Sequence, residues 1–259
     1  MNIATRAVAV IKRDGLRPVV HRRLNWYRDR LKGTIVALKG NRIYMDGMTY
    51  SVEPFSSTLK CTLAKGRFEE PERELVRQWL PADIPVVELG GGMGAVSCLA
   101  NRKLSDPAQH IVVEANPEMV PLLERNRDLN GCGFSVVNAA LGYDSSRLTL
   151  DLDPDFVGSS ASGAKGASGT FTVRTATVSD MMGEGGFGQC GIICDIEGAE
   201  ADLIERELPK LGERVRYLLA EFHPHILGET RTESLFDALR EMGFVEKQTI
   251  GICAFFSRD

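Results

Sequence analysis

Val87 to Ser97 reads V-E-L-G-G-G-M-G-A-V-S, and this stretch decides the fold. The apolar run Pro85 to Leu89 has the length and β-branched content of a strand buried on both faces. Glycines follow at positions 90, 91, 92 and 94, and Ala95 to Arg102 then takes up helical spacing. A strand that passes through glycines into a helix offers backbone amides and a helix N-terminus to a ligand, because glycine lacks a Cβ and tolerates positive φ.

Working outward, the same alternation continues. Ile111 to Val113, Phe134 to Val137, Gly191 to Cys194 and Tyr217 to Ala220 are short apolar runs. Helical patterns near Pro117 to Asn130, Ala199 to Leu208 and Glu233 to Met242 lie among them. Strand and helix in alternation predict an α/β domain with a parallel sheet covered on both sides. At the end, Val245 to Ile250 and Cys253 to Phe256 read as two strands joined by a tight turn at Gly251, an antiparallel pair closing the sheet. Arg147 to Asp151 and Thr170 to Thr177 also read as strands, and the Ser-, Gly- and Ala-rich segment between them, about 152 to 169, is expected to be a flexible insertion, either a functional lid or a plain insertion.

Upstream, a helix is expected after Pro71, with Glu72 and Glu74 in its first turn. Thr34 to Leu38, Arg42 to Met45 and Met48 to Val52, separated by Lys39-Gly40-Asn41 and Asp46-Gly47, read as a small β-meander. Residues 4 to 32 mix Arg with Val, Leu, Trp26 and Tyr27 at rough helical spacing and read as one or two amphipathic helices. The division expected is a basic extension over residues 1 to 67 and a ligand-binding domain over 68 to 259.

The composition supports a globular chain: 259 residues, 43% hydrophobic and 25% charged, are enough for a sizeable core. The overall charge of −4 conceals an asymmetry. Met1 to Arg42 carries eleven Lys or Arg against two Asp, a net of +9, which leaves −13 on the remainder. No apolar run approaches the roughly 18 residues a membrane span needs, and no secretion signal is evident. The six Cys form no paired framework, so a cytoplasmic protein with reduced thiols is expected. Cys190 and Cys194 lack the second pair that a zinc site needs, and no metal is assigned.

Two ligands compete for the glycine loop. Gly90, Gly92 and Ala95 satisfy the dinucleotide spacing G-x-G-x-x-G/A, and Glu114 stands at the end of the second strand, where a ribose-binding acid belongs. Against a dinucleotide stands Glu88, two residues before the first glycine. There it would face a pyrophosphate unfavourably, yet it would suit the ammonium and sulfonium charges of S-adenosylmethionine. The sequence prefers the sulfonium ligand.

With these residues in view, the chain resembles FkbM-type S-adenosylmethionine-dependent methyltransferases. Beside the glycine loop, the resemblance rests on V-V-E-A-N-P-E-M (Val112 to Met119), L-L-E-R-N-R-D-L-N-G (Leu122 to Gly131), V-V-N-A-A-L-G (Val136 to Gly142), D-I-E-G-A-E (Asp195 to Glu200) and A-E-F-H (Ala220 to His223). It spans about Phe68 to the C-terminus. Such proteins usually carry Lys two positions before the Asp, where this chain has Ile193, so no role passes to that position. The resemblance implies a Rossmann-like methyltransferase fold, mostly parallel with an antiparallel C-terminal strand pair, preceded by a small α+β extension.

It also implies roles. Glu88, Gly90, Gly92, Gly94, Glu114, Ala115, Asn138, Ala139 and Asp195 are expected to bind the cofactor. Among them the glycines lie against its methionine end, Glu114 accepts from the ribose hydroxyls, and Asn138 reads the adenine edge. Asp195, Glu197 and His223 are the expected catalytic residues, since transfer to a poorly nucleophilic alcohol needs its proton removed. Glu69, Glu70 and Glu72 are ambiguous between helix-start charges and site acids and are left out of this set. The resemblance points to O-methylation of a sugar, glycan or glycolipid hydroxyl, with a polyketide or other secondary metabolite as the alternative acceptor. An NAD(P)-dependent oxidoreductase and a non-catalytic cofactor-binding module are the rivals from other classes. No nucleic-acid partner is expected. The basic leader is expected to dock an anionic, lipid-linked acceptor, to touch the inner membrane surface peripherally, or to help form a homodimer.

Overall fold

A computed structural model of the chain describes residues 28–152 and 169–258. Of the helical stretch expected over residues 4 to 32, residues 4–27 lie outside the described residues, as does the body of the expected insertion, while 28–32 are helical. The described chain falls into two units: one with residues up to 47 and 51–68, and one with 48–50 and 69 onward.

In the first unit, residues 28–38 form α1, so the strand expected over Thr34 to Leu38 is helical instead. The β-branched run Thr34-Ile35-Val36 favours a strand locally, but good helix formers flank it on both sides. Thr34 Oγ1 donates back to the Arg30 carbonyl at 2.9 Å, and Lys39 N donates to Ile35 O at 3.1 Å. Gly40 and Asn41, with φ of 87° and 54°, end the helix. Of the three-stranded meander expected, two strands form, β1 (Arg42–Met45) and β2 (Met48–Ser51), as a two-stranded sheet around Asp46-Gly47, with residues 48–50 assigned to the second unit. Helix α2 (Ser57–Leu63) begins at Ser56, whose hydroxyl accepts from Leu59 N.

The second unit is built on a seven-stranded sheet with the order β11-β12-β10-β9-β3-β4-β5. Its members are β3 (Val86–Leu89), β4 (His110–Glu114), β5 (Ser135–Asn138), β9 (Cys190–Cys194), β10 (Val215–Glu221), β11 (Val245–Ile250) and β12 (Cys253–Ser257). From β10 through β5 every pairing is parallel, whereas β12 runs antiparallel to both β10 and β11. This is the expected α/β architecture, with the C-terminal pair inserted at one edge. Strands β3, β4 and β9 are buried along their whole length, which is why they read as mostly apolar runs without alternation, Glu88, His110 and Glu114 being the buried exceptions.

Helices cover both faces: α3 (Glu70–Trp79), α4 (Ala95–Lys103), α5 (Val120–Leu129), α6 (Val178–Gly185), α7, α8 (Pro224–Leu227) and α9 (Glu229–Glu241). Helix α7 is composite. Glu200–Asp202 and Leu208–Leu211 are α-helical, and between them Leu203–Glu207 widens into a π turn. Pro209 lacks the N–H that would continue the α ladder, and Leu208 N reaches back five residues to Leu203 O. Three further strands, β6 (Ala140–Leu141), β7 (Arg147–Leu152) and β8 (Gly169–Ala176), form a separate small sheet in the order β6-β8-β7.

Strand register sets the functional edge. Leu89 lies level with Val113 on β4 and with Cys194 on β9, Cys194 is level with Ala220 on β10, and Glu114 is level with Asn138 on β5. The residues that follow these strand ends therefore emerge together at the carboxyl edge, where open α/β sheets hold ligands.

Candidate active site

At that edge opens a cavity of about 300 Å³, at the lower end of the range for small-molecule sites. The glycine loop forms its floor. Gly90 has φ 88°, and a Cβ there would lie 1.9 Å from the Asp195 carbonyl oxygen, so glycine is required for β3 and the turn after β9 to meet. Gly91 and Gly94 are similarly closed off, by Val112 and Leu123 and by Leu123 respectively. Gly92 differs. At φ 51° it faces the cavity, and the nearest atom to an added Cβ would be Glu69 Oε1 at 3.8 Å. Packing of the protein thus accounts for three of the four glycines, and the open face of Gly92 is what remains for a ligand.

Glu114 ends β4 with its carboxylate bridging two backbone amides: Gly92 N donates at 2.8 Å and Asn116 N at 2.7 Å. Burial raises its pKa, and these donors oppose the rise. Ala115 N also hydrogen-bonds this carboxylate, so three backbone amides hold it at the strand end. Ala115, Asn116, Met119 and Ala139 continue this wall, and Leu148 and Leu150 of β7 add apolar surface opposite.

The third wall is acidic. Asp195, Glu197 and Asp202 line the cavity from the segment after β9, and Glu69 enters from the start of α3. Burial, reinforced by the charge of Asp195, lifts the Glu69 carboxyl well above its ordinary range. Behind Asp195 and Glu197 sits His223, 3% exposed and outside the cavity lining. Its Nδ1 is 3.1 Å from Glu200 Oε1, which also accepts from His223 N at 2.9 Å. Its Nε2 faces Asp195, Glu197 and Glu221 at 3.6, 3.5 and 3.6 Å. Burial pulls the imidazole pKa down, but the bond to Glu200 and the surrounding carboxylates outweigh it and the net shift is upward. Asp195 is pushed up to about 7, chiefly by burial and with help from Glu72, Glu197 and Glu200, against the pull of His223. Its side chain is still 37% exposed to the cavity, so it remains within reach of a ligand. Glu221, half-buried and hydrogen-bonded to Glu72, is pushed up to about 10.

The predicted residues therefore divide. Gly90, Gly92, Glu114, Ala115, Ala139, Asp195 and Glu197 line the cavity. Glu88, Gly94, Asn138 and His223 do not. Glu88 projects to the other face of β3, where Ser97 Oγ donates to one oxygen at 2.6 Å and His110 Nε2 meets the other at 3.0 Å. Both oxygens serve the protein, so Glu88 cannot discriminate between ligands from the cavity. Asn138 donates its amide hydrogens to the carbonyls of Glu114 and Ala115 at 2.8 and 3.1 Å, tying β5 to β4 instead of reading a base edge. Gly94 caps α4. Glu69, Asn116 and Asp202 are lining residues outside the predicted set.

Among the described residues, two groups of ligand-type atoms lie close enough together to share a metal ion, Asp195–Glu197–His223 and Glu72–Glu221–Cys253. In both, the carboxylates already have protein neighbours that account for their placement.

Compared with family models and with curated proteins, the chain matches none. Among solved structures it is similar to Aeropyrum pernix fibrillarin with natively bound S-adenosyl-L-methionine, at 9% identity over 73% of each chain with a TM-score of 0.44. It is similar to M. jannaschii TYW2 in complex with AdoMet at 15% identity, over 84% of this chain and 86% of the other, with a TM-score of 0.43. The ribosomal protein L11 methylase of Lactobacillus delbrueckii subsp. bulgaricus is similar at 14% identity, over 73% and 78% of the two chains, with a TM-score of 0.41.

Proposed function

We propose that this protein is an S-adenosylmethionine-dependent O-methyltransferase. One observation carries the reading: five carboxylates, Glu69, Glu114, Asp195, Glu197 and Asp202, line the cavity, with no Lys or Arg among its described lining residues. Such a cavity offers a dinucleotide pyrophosphate no cation, and its carboxyls, lifted by burial at Glu69, Glu114 and Asp195, gain their charge most readily beside a ligand bearing ammonium and sulfonium charges. Glu114 supplies the acceptor pair for a ribose diol, and Gly92 leaves room for close backbone approach.

When bound, the cofactor supplies an electrophilic methyl group on a cationic sulfur. The chain's own part is alignment and proton removal. Asp195, with a pKa near 7, is matched to accept a hydroxyl proton at neutral pH as the acceptor oxygen bonds to the methyl carbon. Glu197 beside it orients the acceptor. His223, buried behind both, acts as a positioning residue that holds the two carboxylates, so the catalytic role expected for it becomes an indirect one.

The acceptor proposed is a hydroxyl of a sugar, glycan or glycolipid, in keeping with the FkbM resemblance; a secondary-metabolite hydroxyl is the alternative. Calorimetry tests the cofactor assignment. Micromolar binding of S-adenosylmethionine or S-adenosylhomocysteine, without binding of NAD(P)H, is expected, and absence of both methyl-donor ligands from folded protein overturns it. Incubation with labelled methyl donor and a panel of glycans and metabolites tests catalysis. Binding without labelling of any acceptor would favour a non-catalytic module.

A further inference from the structure

Two of the six cysteines, far apart in the sequence, are brought together by the fold. Cys98 lies in the first turn of α4, where its amide donates to Gly94 O at 3.0 Å, and its side chain is fully buried. Cys132 follows the end of α5. Gly131 takes a left-handed φ of 62° there and Cys132 N donates to Arg127 O at 3.0 Å, so the cap of the helix sets where this cysteine falls. Asn130 lies against both: its Nδ2 is 3.9 Å from Cys98 Sγ and its carbonyl oxygen is 4.0 Å from Cys132 Sγ, while Cys132 Sγ is 3.8 Å from Cys98 O. The two thiols hydrogen-bond each other directly.

The pair is asymmetric. Cys98 is sealed in the core, whereas Cys132 is half-buried between the exposed Gly131 and Gly133. The hydrogen bond from Cys98, helped by the charge of Arg102, outweighs burial and holds the Cys132 thiol below its ordinary range. That same bond, together with burial, pushes the Cys98 thiol up, so Cys98 keeps its proton. The thiolate is the reactive form of cysteine, and a thiol beside it captures its first oxidation product. Cys61, Cys190, Cys194 and Cys253 are buried, and burial raises all four thiols.

We infer that Cys98 and Cys132 form a reversible redox site, with Cys132 as the nucleophile toward hydroperoxides and Cys98 as the resolving thiol that closes a disulfide. The Cys132 sulfur attacks one peroxide oxygen and the O–O bond breaks. The other oxygen leaves as hydroxide and takes up the proton that Cys132 gave away, which leaves a sulfenic acid on Cys132. The Cys98 sulfur then attacks the Cys132 sulfur; the S–S bond forms as the S–O bond breaks, and the Cys98 proton departs with that oxygen as water. The two thiols are oxidised by two electrons and one hydrogen peroxide is reduced to two waters. The product ties the first turn of α4 to the end of α5. Cys98 Sγ also lies 3.7 Å from the carbonyl of Asn126, whose side chain donates to Met93 O at 2.8 Å, so the disulfide would form next to a residue that holds the glycine loop. This chemistry does not depend on the methyl-donor reading.

Peptide mapping of the full chain tests it. The folded, reduced protein is treated with hydrogen peroxide, remaining thiols are alkylated in denaturant, and the digest is read by mass spectrometry. Expected are peptides joined through Cys98 and Cys132, alkylation of the other cysteines, and return of both thiols with dithiothreitol. In Cys98→Ser the disulfide cannot close, so dimedone, which traps sulfenic acid, should label Cys132 about ten-fold or more above wild type. In Cys132→Ser the thiolate is gone, and Cys98 should be oxidised about ten-fold or more slowly than Cys132 is in wild type. The wild-type map needs no substitution and decides the matter even if a serine variant folds poorly. The inference is overturned if that map shows Cys132 oxidised without a bond to Cys98, if another cysteine is oxidised first, if the joined peptides come from two copies of the chain on a non-reducing gel, or if dimedone labels Cys98→Ser and wild type equally.

Discussion

Gly90 and Gly92 stand two residues apart in one loop, both at positive φ, yet the structure assigns them opposite vulnerabilities. Gly92→Ala adds a methyl group whose nearest neighbour is 3.8 Å away, so no clash arises. The remaining cost is that of an alanine in the left-handed region, roughly 1–2 kcal/mol. At about 2–4 °C per kcal/mol for a domain of this size, the melting temperature should fall by a few degrees. The new methyl group would nonetheless occupy the open face of the loop, and S-adenosylhomocysteine binding should weaken by a hundred-fold or more.

Gly90→Ala places its methyl group 1.9 Å from the Asp195 carbonyl oxygen, a distance that only backbone movement can relieve. To the left-handed cost is added overpacking of about 1–3 kcal/mol or more, and the junction of β3 with the β9 turn must separate. Its melting temperature should fall about twice as far as that of Gly92→Ala. Scanning fluorimetry without ligand, followed by calorimetry on whichever variants remain folded, separates the two effects. If Gly92→Ala binds like wild type, Gly92 is not the ligand cradle; if Gly90→Ala melts with wild type, the packing account of that glycine is wrong.

Three other outcomes are expected. His223→Ala removes the imidazole from among Asp195, Glu197, Glu200 and Glu221, and buried groups that lose their partner typically cost about 3–5 kcal/mol; a loss under about 1 kcal/mol by urea denaturation at pH 7.5 would show that the site does not depend on it. The ligand-free protein should lose stability as pH rises from 5.5 to 8. Asp195 and Glu221 have folded pKa values near 7 and 10 against ordinary values of 3.8 and 4.5, and His223 is raised above 6.5, so in this window the folded state holds more protons than the unfolded one. Asp195→Asn should flatten the melting-temperature profile, and a profile that climbs toward pH 8 in wild type would contradict the assignment. Finally, removing residues 1–27 should leave S-adenosylhomocysteine binding unchanged while lowering methylation of an anionic or lipid-linked acceptor; equal rates would dissociate the basic leader from acceptor recognition.

The sheet was legible because burial on both faces writes β3, β4 and β9 as mostly apolar runs, interrupted only by Glu88 in β3 and preceded by His110 in β4, and because Gly90, Glu114 and Asp195 directly follow the apolar residues. Side-chain direction was less legible. Glu88 lies on a strand with no alternating pattern, so nothing in the sequence says which face it takes, and it points away from the cavity. Glu69, Glu70 and Glu72 are indistinguishable by composition. The structure sorts them through the left-handed φ of 50° at Glu69, which accompanies its entry into the cavity, while Glu70 is exposed and Glu72 is buried near Glu221. Asn116 was quoted only within a motif; an Asn two residues before a backbone N–H that it caps was the available signal, but its place in the cavity wall is a tertiary fact. Thr34 to Leu38 went astray because a β-branched triplet outweighed its helical flanks.

On the methyl-donor reading proposed above, the acid-lined cavity has one more consequence, for the end of a catalytic cycle. Transfer of the methyl group turns a sulfonium into an uncharged thioether, so the spent nucleoside leaves with one positive charge fewer than the donor brought in. An acid-lined wall holds the donor more strongly than the product by that difference. Turnover then discharges the grip of the site, product release is promoted by the chemistry itself, and the enzyme should keep working as its own by-product accumulates.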